Sequence, residues 1–207
     1  MIRSIYYKQE EVLKSILKLH CPLGKIDLDP TYSKGNFYSG EIEKPQHRFD
    51  LYPKSSDVKQ SCATKLPLES ESVNTIMFDP PFLATTGPSL TGNRGNIINK
   101  RFGVFKNEKR LHEFYVYSLM EFYRLLKPKG ILIFKCQDKV SSGKQYFSHC
   151  FVHQKAVEEG FYPKDLFILL AKNRIVANWQ KKNQKHARKY HSYFWVFEKN
   201  TRKIRYV

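Results

Sequence analysis

The chain has 207 residues, with 36 Lys or Arg against 19 Asp or Glu, so its formal net charge at pH 7 is +17. Hydrophobic residues at 41% and aromatic residues at 14% exclude a disordered chain, and the length suits one domain with a sizeable core. No apolar run reaches membrane-spanning length and the N-terminus lacks a secretion signal, so we expect a cytoplasmic protein. The excess charge favours a polyanionic partner, which is most often nucleic acid or an acidic membrane surface.

The hydrophobic pattern predicts alternating helices and strands in the first two thirds of the chain. Residues 9–20 carry apolar side chains on one helical face, which predicts a first helix. Residues 111–126 form a second amphipathic pattern, which KPKG closes, and 148–159 a third, with Gly160 as its C-cap. Strands are expected at KIDLD (25–29), HRFDLYP (47–53), KQSCATKLP (59–67), VNTIMF (73–78) and ILIFK (131–135).

The last two predicted strands are DLFILLA (165–171) and YFWVFEK (193–199). No helical pattern separates them, so we expect an antiparallel pair. Strands separated by helices elsewhere indicate a parallel sheet covered on both faces. We therefore predict an α/β fold in a single domain, 1–207, with a doubly wound, mostly parallel sheet and a final antiparallel strand pair.

Two long segments read as loops, about 83–107 and 172–191. Both contain several Lys or Arg residues and no acid. Loops of this length within a compact domain are usually functional.

The segment TIMFDPPF, residues 75–82, ends an apolar strand on an acid, two prolines and an aromatic ring. The prolines cannot continue a strand ladder, and they fix the backbone into a rigid corner at the strand's carboxyl end. Open α/β sheets place their ligands at that edge.

The order DLDPTYSKGNFY, FDLYP, LPLESESVNTIMFDPPF and FYRLLKPKGILIFK resembles the class I S-adenosylmethionine-dependent methyltransferases. More narrowly, it resembles the small DNA adenine-N6 enzymes that modify exocyclic nitrogens of nucleobases. The resemblance covers most of the chain and implies a Rossmann-like fold. It also implies that Asp79, Pro80, Pro81 and Phe82 are the catalytic residues. Asp79 and the Pro80 carbonyl would accept the two N–H groups of the target amine, and Phe82 would stack on the base.

The resemblance implies that the turn DPTYSKGNFY holds S-adenosylmethionine. Ser33 stands where related enzymes usually have glycine, while Gly35 is kept. Asp50, at the end of HRFD, matches an acid that accepts hydrogen bonds from the cofactor ribose, although a surface acid or helix cap is nearly as good an explanation. Cys62 stands where the family often has an acid near adenine, so adenine recognition stays unassigned. The expected cofactor residues are Asp29, Pro30, Thr31, Tyr32, Ser33, Gly35 and Asp50.

Two further sets of residues have competing explanations. Lys135, Gln137 and Asp138 follow a buried strand, and a substrate-facing rim and a charged turn explain them equally well. His149 and His153 have the i, i+4 spacing of metal ligands, but no third ligand accompanies them and we expect no metal. The four cysteines show no CxxC spacing and indicate reduced thiols.

The two acid-free loops are the expected nucleic-acid contacts, because cations position phosphates while aromatic and amide side chains touch bases. A solvated charge run is the alternative. The expected contact residues are Arg94, Lys100, Arg101, Arg174, Trp179, Lys181, Lys182, Lys185 and Arg188.

The sequence thus predicts a DNA methyltransferase that acts on adenine N6 of a flipped base, of the kind found in restriction–modification systems. The alternatives are an RNA base amino-methyltransferase acting on guanine N2 or adenine N6, a DNA cytosine-N4 methyltransferase, and a cofactor-free nucleic-acid binder. No membrane or metal partner is expected, and a homodimer is compatible with the sequence because no segment is left for a separate target-recognition domain.

Overall fold

An eight-stranded sheet organises the chain in the computed structural model, which describes residues 1–38, 40–84, 105–141, 143–172 and 184–200. The helices in these ranges are α1 (Gln9–His20), α2 (Glu108–Leu125) and α3 (Ser148–Glu159). The strands are β1 (Ile5–Tyr6), β2 (Leu28–Asp29), β3 (His47–Asp50), β4 (Lys59–Gln60), β5 (Val73–Phe78), β6 (Leu126–Cys136), β7 (Lys139–Ser141), β8 (Lys144–Tyr146), β9 (Phe161–Leu170) and β10 (His191–Lys199). None of the helices in these ranges is long and apolar enough to cross a membrane.

The strand order is β1-β9-β10-β6-β5-β2-β3-β4. Neighbours from β6 to β4 run parallel, whereas β10 is antiparallel to both β6 and β9. Strands β7 and β8 form a separate antiparallel pair. The α/β, Rossmann-like prediction with a mostly parallel sheet and a final antiparallel pair is confirmed.

The two faces of the sheet bury two different cores. Met77 on β5 and Ile133 on β6 pack on one face with α1 and with the segment that follows β2. Their strand neighbours Phe78 and Phe134 pack on the other face with α2 and α3. This alternation is what a period of two requires of a strand covered on both sides, and it divides the carboxyl edge into an α1 face and an α2 face.

Most helix boundaries follow from local chemistry. Helices α1 and α3 and strand β5 coincide with the predicted ranges, and Gly160 ends α3 with a φ of 113°. Helix α2 begins three residues earlier than predicted because Asn107 caps it, its side chain accepting a hydrogen bond from the backbone N–H of Arg110. The segment KPKG does not extend the helix but falls within the bounds of β6.

Candidate functional site

The corner after β5 is held by hydrogen bonds from three parts of the chain. The backbone N–H of Asp79 donates to Thr31 Oγ1 at 3.0 Å. The next carbonyls are engaged as well, since Tyr115 Oη donates to the Pro81 oxygen at 3.1 Å and Lys139 Nζ donates to the Phe82 oxygen. In the described part of the chain the Pro80 carbonyl accepts no such bond, so it is available to a ligand.

Lys139 anchors this corner from the α2 face. Its amine is buried and pairs with Glu108 Oε2 at 3.2 Å, and burial lowers its pKa. Two residues later in β7, Ser141 Oγ donates to the Ala84 oxygen at 2.9 Å. Strand β7 therefore fixes the backbone of 82–84, and with it the exit from the proline corner.

The Asp79 carboxylate remains accessible, with 26% of its side chain exposed. Its Oδ2 accepts a hydrogen bond from Lys135 Nζ at 3.1 Å, and the same amine donates to Gln9 Oε1 at 3.2 Å. Among the residues with described positions, none donates to Asp79 Oδ1. Lys135 thus lies against the predicted catalytic acid.

The turn after β2 is built around a buried acid. Asp29 is 1% exposed, its Oδ1 accepts from the Thr31 N–H at 2.8 Å, and its Oδ2 accepts from Tyr38 Oη at 2.7 Å. Burial raises the pKa of Asp29 to about 7, against the lowering effect of these hydrogen bonds. Asp29 therefore shapes the turn from within, and Thr31 joins the turn to Asp79.

Two residues of the turn have left-handed backbones, Ser33 with a φ of 52° and Gly35 with a φ of 68°. A Cβ on Gly35 would lie 2.5 Å from Tyr32 Oη, so only glycine fits this close approach. Ser33 adopts a left-handed conformation that glycine favours.

Asp50 ties the end of β3 to the same turn. Its Oδ2 accepts from the Ser33 N–H at 2.8 Å and its Oδ1 accepts from the Tyr52 N–H at 2.8 Å. Because β2 has β3 on one side and β5 on the other, the turn after β2 lies where the strand order reverses. That position is the general ligand site of open α/β sheets.

The fold thus brings the 29–35 turn, Asp50 and the 79–82 corner to one edge of the sheet. Lys185 is exposed and Arg188 is partly exposed, on the segment that leads into β10. Residues 85–104 and 173–183 of the two loops lie outside the described residues. The other seven predicted nucleic-acid contacts are in these ranges: Arg94, Lys100, Arg101, Arg174, Trp179, Lys181 and Lys182.

Sequence reasoning missed Gln9, Tyr38, Tyr115 and Lys139. Gln9, Tyr115 and Lys139 are distant in sequence from the residues that they contact, and their side chains gave no local signal of a site. Tyr38 lies within the recognised turn motif, nine residues after the Asp29 carboxylate to which it donates.

Asp138 and His149 form a polar cluster beyond the end of β6. Asp138 is 2% exposed and accepts a hydrogen bond from His149 Nδ1 at 2.8 Å, while the His149 ring stacks on Tyr193 with centroids 4.2 Å apart. Trp195 Nε1 donates to the His149 carbonyl at 3.1 Å. Within the described ranges no three potential metal ligands come together.

A groove of about 470 Å³ lies on the α2 face, between α2, β8 and α3. Its lining includes His112, Tyr117, Tyr146 and Phe151. The Asp79 side chain is directed to the α1 face, by the alternation that places Met77 there. The groove and the Asp79 carboxylate are therefore on different faces of the sheet.

No family model and no curated protein matches the chain. Among solved structures, the chain is similar to TrmN from Thermus thermophilus, with 16% identity, a TM-score of 0.54, and 92% of this chain and 48% of TrmN covered. It is also similar to a candidate sarcosine dimethylglycine methyltransferase from Galdieria sulphuraria, with 14% identity, a TM-score of 0.54, and 97% and 94% of the two chains covered. A candidate DNA modification methylase from Thermus thermophilus, solved with S-adenosyl-L-methionine, matches at 16% identity and a TM-score of 0.44, with 78% of this chain and 59% of that chain covered.

The chain therefore spans about half the length of TrmN and 59% of the candidate DNA modification methylase. At such low identity these likenesses show the fold alone, which is the Rossmann-like fold of methyltransferases. The similarity to the candidate DNA modification methylase, with a TM-score of 0.44, carries no argument about function.

Proposed function

We propose that this chain is an S-adenosylmethionine-dependent methyltransferase that acts on the exocyclic amine of a nucleobase, adenine N6 of DNA. One observation carries the proposal: Asp79 Oδ1 and the Pro80 oxygen are both left without a partner in the described part of the chain. The backbone around them is held by Thr31, Tyr115 and Lys139. Two acceptors on a backbone held in this way match the two N–H groups of an amine.

The chain's own residues account for activation of the amine. Its lone pair is delocalised into the ring of the base, so the nitrogen is a poor nucleophile. Hydrogen bonds to Asp79 Oδ1 and the Pro80 carbonyl favour a tetrahedral nitrogen and stabilise the positive charge that develops on it. Because proline geometry and the surrounding hydrogen bonds set the corner in advance, the acceptors need no reorganisation during the reaction.

The turn at the point where the strand order reverses is the proposed cofactor site. The left-handed turn at Ser33 and Gly35 and the Asp50 carboxylate on the adjacent strand suit a nucleoside with an amino-acid tail. When bound, S-adenosylmethionine supplies an electrophilic methyl group on a sulfonium centre. Transfer of that methyl group would form a nitrogen–carbon bond as the carbon–sulfur bond breaks with its electron pair left on sulfur, and the methylated nitrogen would release one proton to water.

Thr31 is the link between the two halves of the site. Its backbone N–H and hydroxyl contact Asp29, while its Oγ1 also accepts from the Asp79 N–H. The proposed cofactor turn and the corner proposed to hold the target amine are thus joined by one hydrogen bond, from the Asp79 N–H to Thr31 Oγ1.

Phe82 offers a ring on which the target base stacks, and the base must leave a duplex to reach it. The acid of the motif favours adenine over cytosine by the resemblance described above. Basic segments such as the one containing Lys185 contact the phosphates, and the net charge of +17 favours binding of a polyanion.

The test is transfer of labelled methyl from S-adenosylmethionine to duplex DNA, single-stranded DNA and structured RNA, followed by identification of the modified nucleoside. We expect N6-methyladenine in DNA. Label only in RNA would assign the chain to the RNA base enzymes. N4-methylcytosine in DNA would show that the target base is cytosine and not adenine. No label in any substrate, with nucleic-acid binding retained and no thermal stabilisation by S-adenosylmethionine or its demethylated product, would indicate a cofactor-free binder.

A further inference from the structure

Lys135 reaches the proposed catalytic acid from the neighbouring strand. In the parallel register Phe78 pairs with Phe134, so Asp79 and Lys135 are the next positions on adjacent strands. Met77 and Ile133, which lie two positions before Asp79 and Lys135, pack on the α1 face. Because side chains alternate along a strand, Asp79 and Lys135 are directed to the same face. The lysine therefore meets Asp79 on the face that also carries the 29–35 turn.

The Lys135 ammonium is held at a defined point. It donates to Asp79 Oδ2 at 3.1 Å and to Gln9 Oε1 at 3.2 Å, and it lies 5.1 Å from the Phe37 ring centroid and 5.7 Å from that of Phe194. Its side chain is only 15% exposed. A lysine on a solvated surface samples many rotamers, whereas two acceptors and two aromatic faces restrict this one.

The contact with Oδ2 has a geometric consequence for Asp79. The backbone of the residue is fixed by Thr31 and by the following prolines, but these contacts leave the side-chain torsions free. A donor on Oδ2 sets those torsions and leaves Oδ1 as the oxygen available for a substrate. Lys135 thereby fixes the orientation of the Asp79 carboxylate and leaves the oxygen that it does not contact free for a substrate.

We propose that Lys135 is a positioning residue that orients Asp79 for the target amine, and that Gln9 acts through it. This inference rests on the proposed methyltransferase function. It assigns the lysine no contact with the reacting atoms, and it ascribes to Gln9 only the role of holding the ammonium in place.

Lys135→Met tests the proposal because methionine keeps the length and apolar stem of lysine but removes the ammonium. We expect kcat for methyl transfer to fall on the order of tenfold to a hundredfold, the range for a misplaced catalytic group. The affinity for S-adenosylmethionine, measured by calorimetry, should stay within about twofold, because the ammonium contacts Asp79, Gln9 and two aromatic rings but none of residues 29–35. Lys135→Arg keeps a cation near Asp79 and should recover part of the lost rate. Lys144→Met, at an exposed lysine of β8, is the matched control and should leave kcat unchanged.

Gln9→Leu separates positioning from a general effect on folding. We expect it to lower kcat less than Lys135→Met does. In the double variant its effect should disappear, because without the ammonium Gln9 has nothing to hold. Additive effects of the two substitutions would contradict the relay from Gln9 through Lys135.

The outcomes distinguish this inference from the proposed function. If the wild type methylates and Lys135→Met retains its kcat within twofold, the positioning role is wrong while the methyltransferase proposal stands. If the wild type transfers no methyl group to any nucleic acid, the proposed function fails and takes the inference with it. Should Lys135→Met fail to fold by circular dichroism, Lys135→Arg and Gln9→Leu decide the question through the same kcat and affinity measurements.

Discussion

Replacing the buried acid of the cofactor turn should make the protein less sensitive to pH. Asp29 is 1% exposed, and burial raises the pKa of its carboxyl from 3.8 to about 7. Between these two values the folded protein keeps a proton that the unfolded chain has released. The stability of the wild type should therefore fall as pH rises through this window, and above pH 7 both states are ionised and the full cost is present.

The size of the effect follows from the shift. A difference of about three pKa units, at about 1.4 kcal/mol per unit, corresponds to roughly 4 kcal/mol of lost stability above pH 7. About two of those units lie between pH 5 and pH 7, so about 3 kcal/mol should appear between pH 5 and pH 8. Asn at position 29 cannot ionise, but its oxygen can still accept from Thr31 and its amide can donate to Tyr38, whose hydroxyl then accepts.

The assay is urea unfolding of the wild type and Asp29→Asn at pH 5 and pH 8, which gives the free energy of unfolding under each condition. Other groups titrate in the same window, and the difference between the two proteins cancels their contribution. We expect Asp29→Asn to gain about 3 kcal/mol relative to wild type on going from pH 5 to pH 8. A difference between the two proteins that is the same at both pH values would refute the account of a buried, proton-retaining Asp29.

Three further substitutions test the neighbouring contacts. Gly35→Ala should destabilise the fold by about 1–3 kcal/mol and weaken S-adenosylmethionine binding. Gly24 is also left-handed but has open space around it, so Gly24→Ala should cost only the backbone strain. Calorimetric unfolding and ligand titration compare the two variants. Lys139→Met leaves the largely buried Glu108 carboxylate unpaired and should cost about 3–5 kcal/mol by urea unfolding, of which adding Glu108→Leu restores a large part. Tyr115→Phe removes a hydrogen bond to the proline corner and should cost about 1 kcal/mol, with a larger proportional loss of kcat than of cofactor affinity. Equal stability of the two glycine variants, a neutral Lys139→Met or an unchanged kcat in Tyr115→Phe would each contradict the corresponding contact.

The order of the fold was predictable because its main elements have strong local signals. The run VNTIMF has the composition of a buried strand, and residues 9–20 have a clear helical face with a proline and a glycine just beyond. The short strands β1, β7 and β8 were not predicted, since two or three residues carry no measurable periodicity and depend on a partner strand.

The position of the candidate site was predictable only where a motif spans consecutive residues. The corner from Asp79 to Phe82 and the turn from Asp29 to Gly35 were recognised in this way, and the fold joins them through Thr31. Lys135 could be placed at a strand end but not against Asp79, because that contact depends on the register between β5 and β6. Register is a property of the assembled sheet and is not visible in either strand alone.

The most direct test of the central claim is the single-turnover rate of methyl transfer by Asp79→Asn, measured with S-adenosylmethionine affinity on the same samples. Asn keeps the size of the side chain but lacks the charge. Its amide has a single oxygen, so when that oxygen accepts from Lys135 the NH2 group faces the target amine and cannot accept from it. The account predicts a rate lower by about a hundredfold to a thousandfold with nearly unchanged cofactor affinity. A normal rate in this variant, in a protein whose wild type methylates nucleic acid, would contradict the assignment of Asp79.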